Sequence, residues 1–177
     1  MAGLPADDAL RRVDTAVGNR LMEQRVNFGQ VDITVSPENL IEVITALRDL
    51  QFLSCNFFTF LTGIDRSEFT DDPGGLEVLI HVYSVEHVFH VNVHVKVDLE
   101  NPVCPSIVSI FRGAEWQERE CHEMFGVEFE GNSNLSNLFL PEDFEGHPLL
   151  RSFKLPSRFV KAWPGAKDPE EASAGGR

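Results

Sequence analysis

Two runs of alternating apolar residues, Leu76–Ser84 and Phe89–Val97, constrain the fold more than any other feature of this sequence. Only Val85-Glu86-His87-Val88 lies between them, so the two runs predict antiparallel strands joined by a tight turn. If paired residue numbers sum to 173, apolar side chains meet on one face of the pair. On the other face Glu77 meets Lys96, and His81 meets Asn92. The sequence therefore predicts a β-hairpin with this register.

Five further elements follow from hydrophobic periodicity and from residues typical of helix ends. They are a helix within residues 1–25 (Leu10, Val13, Val17 and Leu21 have its spacing), a strand over 31–35, a helix over 37–48 that Ser36 and Pro37 begin, a strand over 57–62, and a helix from about 114 to 125 that Gly126 ends. The order predicts an α+β fold, in which an antiparallel sheet is flanked by helices.

The remainder, residues 131–177, has no regular periodicity because asparagine, proline and glycine recur along it. We therefore expect an N-terminal helical segment (1–25), an α+β domain (26–130) and an extended partner-binding tail (131–177). An irregular stretch of that length is unusual inside a compact domain, so the tail is expected to be ordered by a partner. No acidic residue occurs between Arg151 and Lys167, in contrast to the acidic body. Four aromatic residues are expected to anchor the tail in pockets of that partner: Phe144, Phe153, Phe159 and Trp163.

Composition excludes several functional classes. The net charge of -13 would repel a nucleic acid. Cys55, Cys104 and Cys121 lie far apart and form no C-x-x-C pair, so neither an iron–sulfur cluster nor a structural zinc site is predicted. No glycine-rich phosphate loop or nucleophile-elbow motif occurs. The longest apolar stretches have the length of strands and the N-terminus lacks the features of a targeting peptide, so we expect a soluble intracellular protein.

Two groups of residues could carry chemistry. His81, His90 and His94 lie on the predicted hairpin, where a polar sheet face is a better interpretation than a metal site, since residues four apart on a strand are too distant to share a ligand. Cys121 and His122 are neighbours on a helix, so their side chains point about a hundred degrees apart. A charged helix with local ion pairs is the simpler interpretation of that region. A free-standing enzyme that uses Cys121 or the histidines remains an alternative.

The helix carries a longer pattern, Glu118-Arg119-Glu120-Cys121-His122-Glu123-Met124-Phe125-Gly126. It resembles the E-R-E-x-x-[DE]-hydrophobic-hydrophobic-G signature of the thirty-kilodalton subunit family of respiratory complex I, known in bacteria as the C subunit of NADH-quinone oxidoreductase. Pro102–Ser106 is similar to the family's P-x-x-P-S segment, and Leu140–Leu149 is similar to its L-P-x-D-[WF]-E-G-H-P-L stretch. The resemblance runs in order from about Val31 to Phe153. The family usually has His or Lys in place of Asn132 and a basic residue in place of Ser136.

The resemblance implies a non-redox structural subunit in the hydrophilic arm of a proton-translocating NADH:quinone oxidoreductase. Such a subunit lies on the cytoplasmic side of the bacterial plasma membrane and meets the membrane only through the complex. It implies that this chain binds no cofactor, and that FMN and the iron–sulfur clusters lie in partner subunits. The implied partners are the large D subunit, of the forty-nine-kilodalton type, and neighbouring iron–sulfur subunits. An equivalent subunit of a membrane-bound [NiFe] hydrogenase, or of another complex I-like enzyme, is the alternative.

The resemblance also implies where the chain meets its partners, and it implies no catalytic or metal-binding residue. The expected subunit interface comprises residues of the signature helix and of the tail: Glu118, Arg119, Glu120, Glu123, Phe144, Glu145, His147, Arg151 and Phe153. The carboxylates of Glu120 and Glu123 are expected to make charge-assisted contacts with the partner.

Overall fold

A computed structural model describes residues 3–69 and 74–155. Its elements are α1 (Ala6–Val17), a short 3-10 turn (Gly18–Arg20), β1 (Leu21–Asn27), β2 (Gln30–Val35), α2 (Pro37–Asp49), β3 (Phe57–Asp65), β4 (Leu76–Ser84), β5 (Phe89–Val97), β6 (Val103–Pro105), α3 (Ala114–Phe125) and β7 (Glu128–Glu130). Five strands form one sheet in the order β1-β2-β5-β4-β3, while β6 and β7 form a separate parallel pair. The predicted α+β fold with its helix-flanked sheet is confirmed, but the sheet is mixed and not antiparallel throughout, because β2 and β5 pair in parallel.

The hairpin has the predicted bounds and register. Val78 lies opposite Val95 and Ile80 opposite Val93 in the β4–β5 ladder, as the alternation requires. Glu77 lies opposite Lys96, and its carboxylate also binds two other side chains. Arg66 Nη1 donates to Glu77 at 2.7 Å, and His94 Nδ1 lies 2.5 Å from it. The register therefore placed Glu77 correctly, and the structure adds Arg66 and His94 as partners of its carboxylate.

One face of the five-stranded sheet forms the hydrophobic core. Alternate residues of β2 and β5 point into it, and Val31 pairs with Val91 in a parallel ladder between those strands. The apolar side of α2 covers this face, with Leu40, Ile44 and Leu47 all without exposed surface. Burying a side chain of this size contributes about 1.5–3 kcal/mol, so this layer carries much of the fold's stability.

The N-terminal region differs from its prediction. The helix ends at Val17, and Leu21, which has helical spacing, begins strand β1 instead. β1 pairs with β2 through a two-residue turn, so the pairing of these neighbouring strands outweighs the local helical period. The boundary predicted at residue 25 falls inside β1. The short strands β6 and β7 were not predicted either, since three residues are too few to show a period.

Gly63 on β3 allows α3 to pack closely on the sheet. A Cβ atom at this position would lie 2.5 Å from Cδ2 of Phe125. The missing side chain therefore sets the distance between the sheet and the end of α3. Among residues 3–69 and 74–155, no helix is long and apolar enough to cross a membrane.

Replacing Gly63 by alanine should lower the free energy of unfolding by about 1–3 kcal/mol, because an overpacked site must displace an aromatic ring. Urea denaturation followed by circular dichroism measures the loss. Combining Gly63→Ala with Phe125→Leu should cost less than the two single changes added together, since the smaller side chain removes the clash. Strict additivity would show that the contact with Phe125 is not the cause.

Candidate functional site

The signature helix α3 places one carboxylate entirely inside the protein. Glu118 has no exposed surface. Its Oε1 accepts the Ile107 backbone N–H at 2.8 Å, and its Oε2 accepts the Ser106 hydroxyl at 2.8 Å and the Asn132 amide at 2.9 Å. Glu118 therefore joins α3 to the loop before it and to the chain after β7. In the isolated chain, Glu118, one of the residues predicted at a subunit interface, makes all of its described contacts internally.

The protonation of Glu118 should affect stability. Burial raises the pKa of this carboxyl above its ordinary value of 4.5, although hydrogen bonds from Asn132, Ser106 and Ile107 oppose the rise. The folded state therefore binds the proton more tightly than the unfolded state does. The stability that the proton contributes is fully present below the unfolded pKa and is lost as the pH rises through the folded pKa.

We expect the difference in unfolding free energy between wild type and Glu118→Gln to fall as the pH rises above about 4.5, the ordinary glutamate pKa. Denaturation curves at several pH values measure this difference. Glu118→Gln is the informative variant because it cannot titrate, and subtraction removes the effect of all other carboxyls. A difference that rises with pH would mean that the folded-state pKa of Glu118 is lowered instead.

Glu123, one turn further along α3, binds the backbone of the chain beyond β7. It is 5% exposed, and its carboxylate accepts the N–H groups of Leu138 at 3.2 Å, Phe139 at 3.0 Å and Leu140 at 2.5 Å. Three successive N–H groups form a concavity that suits an anion. The carboxylate of Glu123, a residue also predicted at the interface, is thus occupied by backbone groups of its own chain.

Residues 132–155, here called the C-terminal segment, receive further contacts from α3. Arg119 donates from Nε to Ser136 O at 2.9 Å and from Nη2 to Asn137 O at 3.0 Å. Its guanidinium also lies over the ring of Trp116, 5.2 Å from the centroid. Arg119 is only half-buried and Glu120 is exposed, so neither residue is closed to a partner.

The end of the C-terminal segment is fixed to β3 and to the end of α3. The Arg151 backbone N–H donates to Asp65 Oδ2 at 2.8 Å, and the Arg151 guanidinium lies 3.2 Å from Glu68. Burial raises the pKa of Asp65, but hydrogen bonds from Ser67 and Arg151 outweigh it and lower that pKa overall. His147 Nδ1 donates to Glu123 O at 2.9 Å. The segment is thus attached at both ends.

These contacts correct the prediction for the tail. Residues 132–155 are irregular, as expected, but they are held by this chain's own α3 and β3 and not by a partner alone. The physical reason is that side-chain carboxylates satisfy the backbone N–H groups that an irregular segment leaves unpaired. Phe159 and Trp163 lie outside the described residues, as does the rest of the tail beyond Leu155.

The C-terminal segment and α3 carry a set of exposed apolar side chains. Their exposed fractions are 60% for Trp116, 64% for Phe139, 38% for Phe144, 54% for Leu149 and 84% for Leu155. Phe144 stacks on Phe153 at a centroid distance of 5.9 Å, which keeps the Phe153 ring half-buried. Of the residues predicted at the interface, Glu145 and Arg151 are exposed and His147 is half-buried. Such exposed aromatic and aliphatic side chains are the residue types that often anchor protein–protein interfaces.

The histidines lie on the sheet face opposite the core. His81 Nε2 is 3.1 Å from His90 Nδ1, while His94 binds Glu77 instead of joining them. Within residues 3–69 and 74–155, no group of three or more His, Cys, Asp or Glu residues could hold a metal ion. The contacts agree with the interpretation of a polar sheet face.

Cys121 and His122 have separate surroundings in the chain. The Cys121 thiol is 1% exposed, and burial raises its pKa far above the ordinary value, so the reactive thiolate is disfavoured. His122 Nδ1 donates to Val127 O at 2.8 Å, a contact between α3 and the residue that follows Gly126. Burial likewise raises the pKa of Cys55 to about 12.

Known proteins resemble this chain over most of its length. The family described as "Respiratory-chain NADH dehydrogenase, 30 Kd subunit" matches residues 33–159. The NADH-quinone oxidoreductase C subunit of Mesorhizobium japonicum is 36% identical over 152 residues, which cover 83% of this chain and 73% of that protein. Some other curated relatives are longer, and the chain spans only 60% of their length.

Two solved structures share the fold. A trypsin-resistant fragment of Nqo5 superposes with a TM-score of 0.63 and 24% identity, covering 72% of this chain and 99% of the fragment. A chain of an archaeal membrane-bound sulfane sulfur reductase gives a TM-score of 0.60 at 21% identity, covering 77% of each chain. At these identities the likeness concerns the fold alone. The match over residues 33–159 and the 36% identity decide the family: this chain belongs to the 30 Kd subunit family of the respiratory-chain NADH dehydrogenase.

Proposed function

We propose that this chain is the C subunit of a proton-translocating NADH:quinone oxidoreductase, a structural component of its hydrophilic arm. The observation that carries the proposal is the family match over residues 33–159. Electrons pass from NADH to quinone through the whole complex, and this chain contributes to its assembly. FMN and the iron–sulfur clusters lie in partner subunits. The hydrophilic arm lies on the cytoplasmic side of the bacterial plasma membrane, and the chain is peripheral to that membrane.

The contacts of α3 give this role a physical basis. Glu123 and Arg119 bind the C-terminal segment, so its backbone is ordered before any partner arrives. Ordering a segment in advance removes an entropic cost from the later association. The segment then presents Phe139 and Leu149 on a surface of defined shape. We assign this surface to the contact with the large D subunit. The exposed part of α3 at Glu120 belongs to the same interface.

A related complex is the second candidate. The shared fold of the archaeal sulfane sulfur reductase chain is compatible with a complex I-like enzyme other than a quinone reductase, such as a membrane-bound [NiFe] hydrogenase. The same surface would then meet the large subunit of that enzyme.

Affinity purification from the membranes of the native cells tests the proposal. A tag on the chain, mild detergent and mass spectrometry should recover the large D subunit and the iron–sulfur subunits, together with FMN and NADH:quinone activity. Recovery of a hydrogenase or sulfur-reductase large subunit would support the second candidate instead. Recovery of the tagged chain alone would contradict both.

A further inference from the structure

The turn between β1 and β2 combines an unfavourable backbone with an exposed aromatic ring. Asn27 pairs with Gln30, so only Phe28 and Gly29 form the turn. Their φ angles are +50° and +76°, the combination that favours asparagine, aspartate or glycine at the first position. Phenylalanine, with its bulky Cβ substituent, is strained in this conformation. The turn therefore holds a residue that destabilises the free chain locally.

The side chain of Phe28 offers no compensation within its own chain. It is 97% exposed, the largest fraction among the large apolar side chains in the described ranges. A single exposed apolar residue is common on protein surfaces. Phe28 adds a strained backbone to an almost complete exposure, whereas Val88, also at positive φ, is 39% exposed. Asparagine at this position would remove both the backbone strain and the exposure of an apolar ring. The ring is therefore best explained by a contact outside this chain.

The strand that precedes Phe28 has an edge available for such a contact. β1 is an outer strand of the sheet, and in the part of the chain that the structure describes, the backbone of residues 23–27 is hydrogen-bonded only within the β1–β2 ladder. On the other outer strand, β3, this chain binds part of the edge: Gln117 of α3 accepts the Leu61 N–H and contacts Thr59 O. Among the described residues, no such side chain binds the edge beside Phe28.

We propose that Phe28 is an anchor that inserts into an apolar pocket of a neighbouring protein in the complex. The inference rests on the proposed function, since it requires that the chain work inside a complex. β1 and β3 are opposite edges of the sheet, and the C-terminal segment is attached at the β3 side. The chain would therefore contact its neighbours at both edges, as a scaffold that holds two surfaces at a fixed separation.

Charge favours a protein pocket over a lipid surface as the occupant. Membrane binding through a single aromatic residue requires basic residues beside it, which attract anionic lipids. β1 carries one acidic and one basic residue, Glu23 and Arg25, and the whole chain has a net charge of -13. An acidic protein is repelled by an anionic membrane, whereas a protein pocket needs only apolar complementarity.

The test is Phe28→Asn in the tagged chain purified with its complex. The isolated variant should melt at the same temperature as wild type or higher, because asparagine tolerates positive φ. Retention of partner subunits should fall by about tenfold or more, as expected when a buried aromatic anchor is lost. Val85→Asn, which removes an exposed apolar side chain from the turn of the other hairpin (57% exposed), should leave retention unchanged.

Three outcomes would overturn the inference. If Phe28→Asn retained its partner subunits like wild type, Phe28 would not be an anchor. The proposed function would still stand, since the complex itself would be recovered. An equal loss in Val85→Asn would mean that any exposed apolar residue has this effect. Binding of the isolated wild-type chain to vesicles of anionic phospholipid, abolished by Phe28→Asn, would assign the ring to a membrane surface.

Discussion

Replacing Glu118 by alanine should destabilise the chain by about 3–5 kcal/mol, the usual cost of removing one partner from a buried charged network. The change leaves the Ile107 N–H, the Ser106 hydroxyl and the Asn132 amide without their acceptor in a site that water does not reach. It also opens a cavity where a side chain without exposed surface stood. Urea denaturation measures the loss of unfolding free energy.

Glu120→Ala is the matched control, since Glu120 is the same residue type on the same helix but is exposed. Its effect on stability should stay within about 0.5 kcal/mol, the usual range for surface changes. The Glu120→Ala change should instead lower the amount of assembled complex. Equal destabilisation by the two variants would show that α3 responds to loss of negative charge in general and not to the internal contacts of Glu118.

Replacing Glu123 by alanine should release the C-terminal segment. Three backbone N–H groups, those of Leu138, Phe139 and Leu140, lose a charged acceptor. Hydrogen bonds to charged groups contribute about 1.5–3 kcal/mol each, and released N–H groups regain some of this from water, so a net loss of about 2–4 kcal/mol is expected locally. The core of the sheet should remain folded, because the segment is packed on the domain's surface.

Limited trypsin digestion measures this release through cleavage after Arg151. We expect this bond to be protected in wild type because the Arg151 N–H is bound to Asp65. Cleavage of Glu123→Ala should be more than about tenfold faster, following the population of the open form. Glu145→Ala, an exposed change within the segment itself, should be cleaved like wild type. Identical rates for all three proteins would show that Glu123 does not hold the segment.

The sheet and α3 were predictable because their evidence is local. A period of two along Leu76–Ser84 and Phe89–Val97 fixes both the strands and the face that each side chain occupies, and the register follows. Gly126 was predicted to end α3 and has a φ of +79°, where glycine is favoured. β1 was missed because its apolar residues also fit a helix, and only pairing with β2 decides between the two structures.

The internal contacts of α3 could not be predicted in the same way. Glu118 and Glu123 have the local spacing of an exposed charged helix, and their partners include backbone N–H groups, which have no sequence pattern. Asp65 and Arg151 are 86 residues apart, so nothing local connects them. The error in the tail prediction has the same origin. Irregular sequence indicates missing backbone pairs, but it does not tell whether a partner or a carboxylate of the same chain replaces them.

The central claim is that the signature residues of α3 order the C-terminal segment within the free chain and so prepare a surface for the complex. Hydrogen exchange of the Leu138, Phe139 and Leu140 amides tests it most directly, in the isolated chain and in the purified complex. We expect these amides to be protected in both, while amides near Phe144 and Leu149 gain protection only in the complex. Exchange of the Leu138–Leu140 amides at unfolded-chain rates in the isolated protein would contradict the claim.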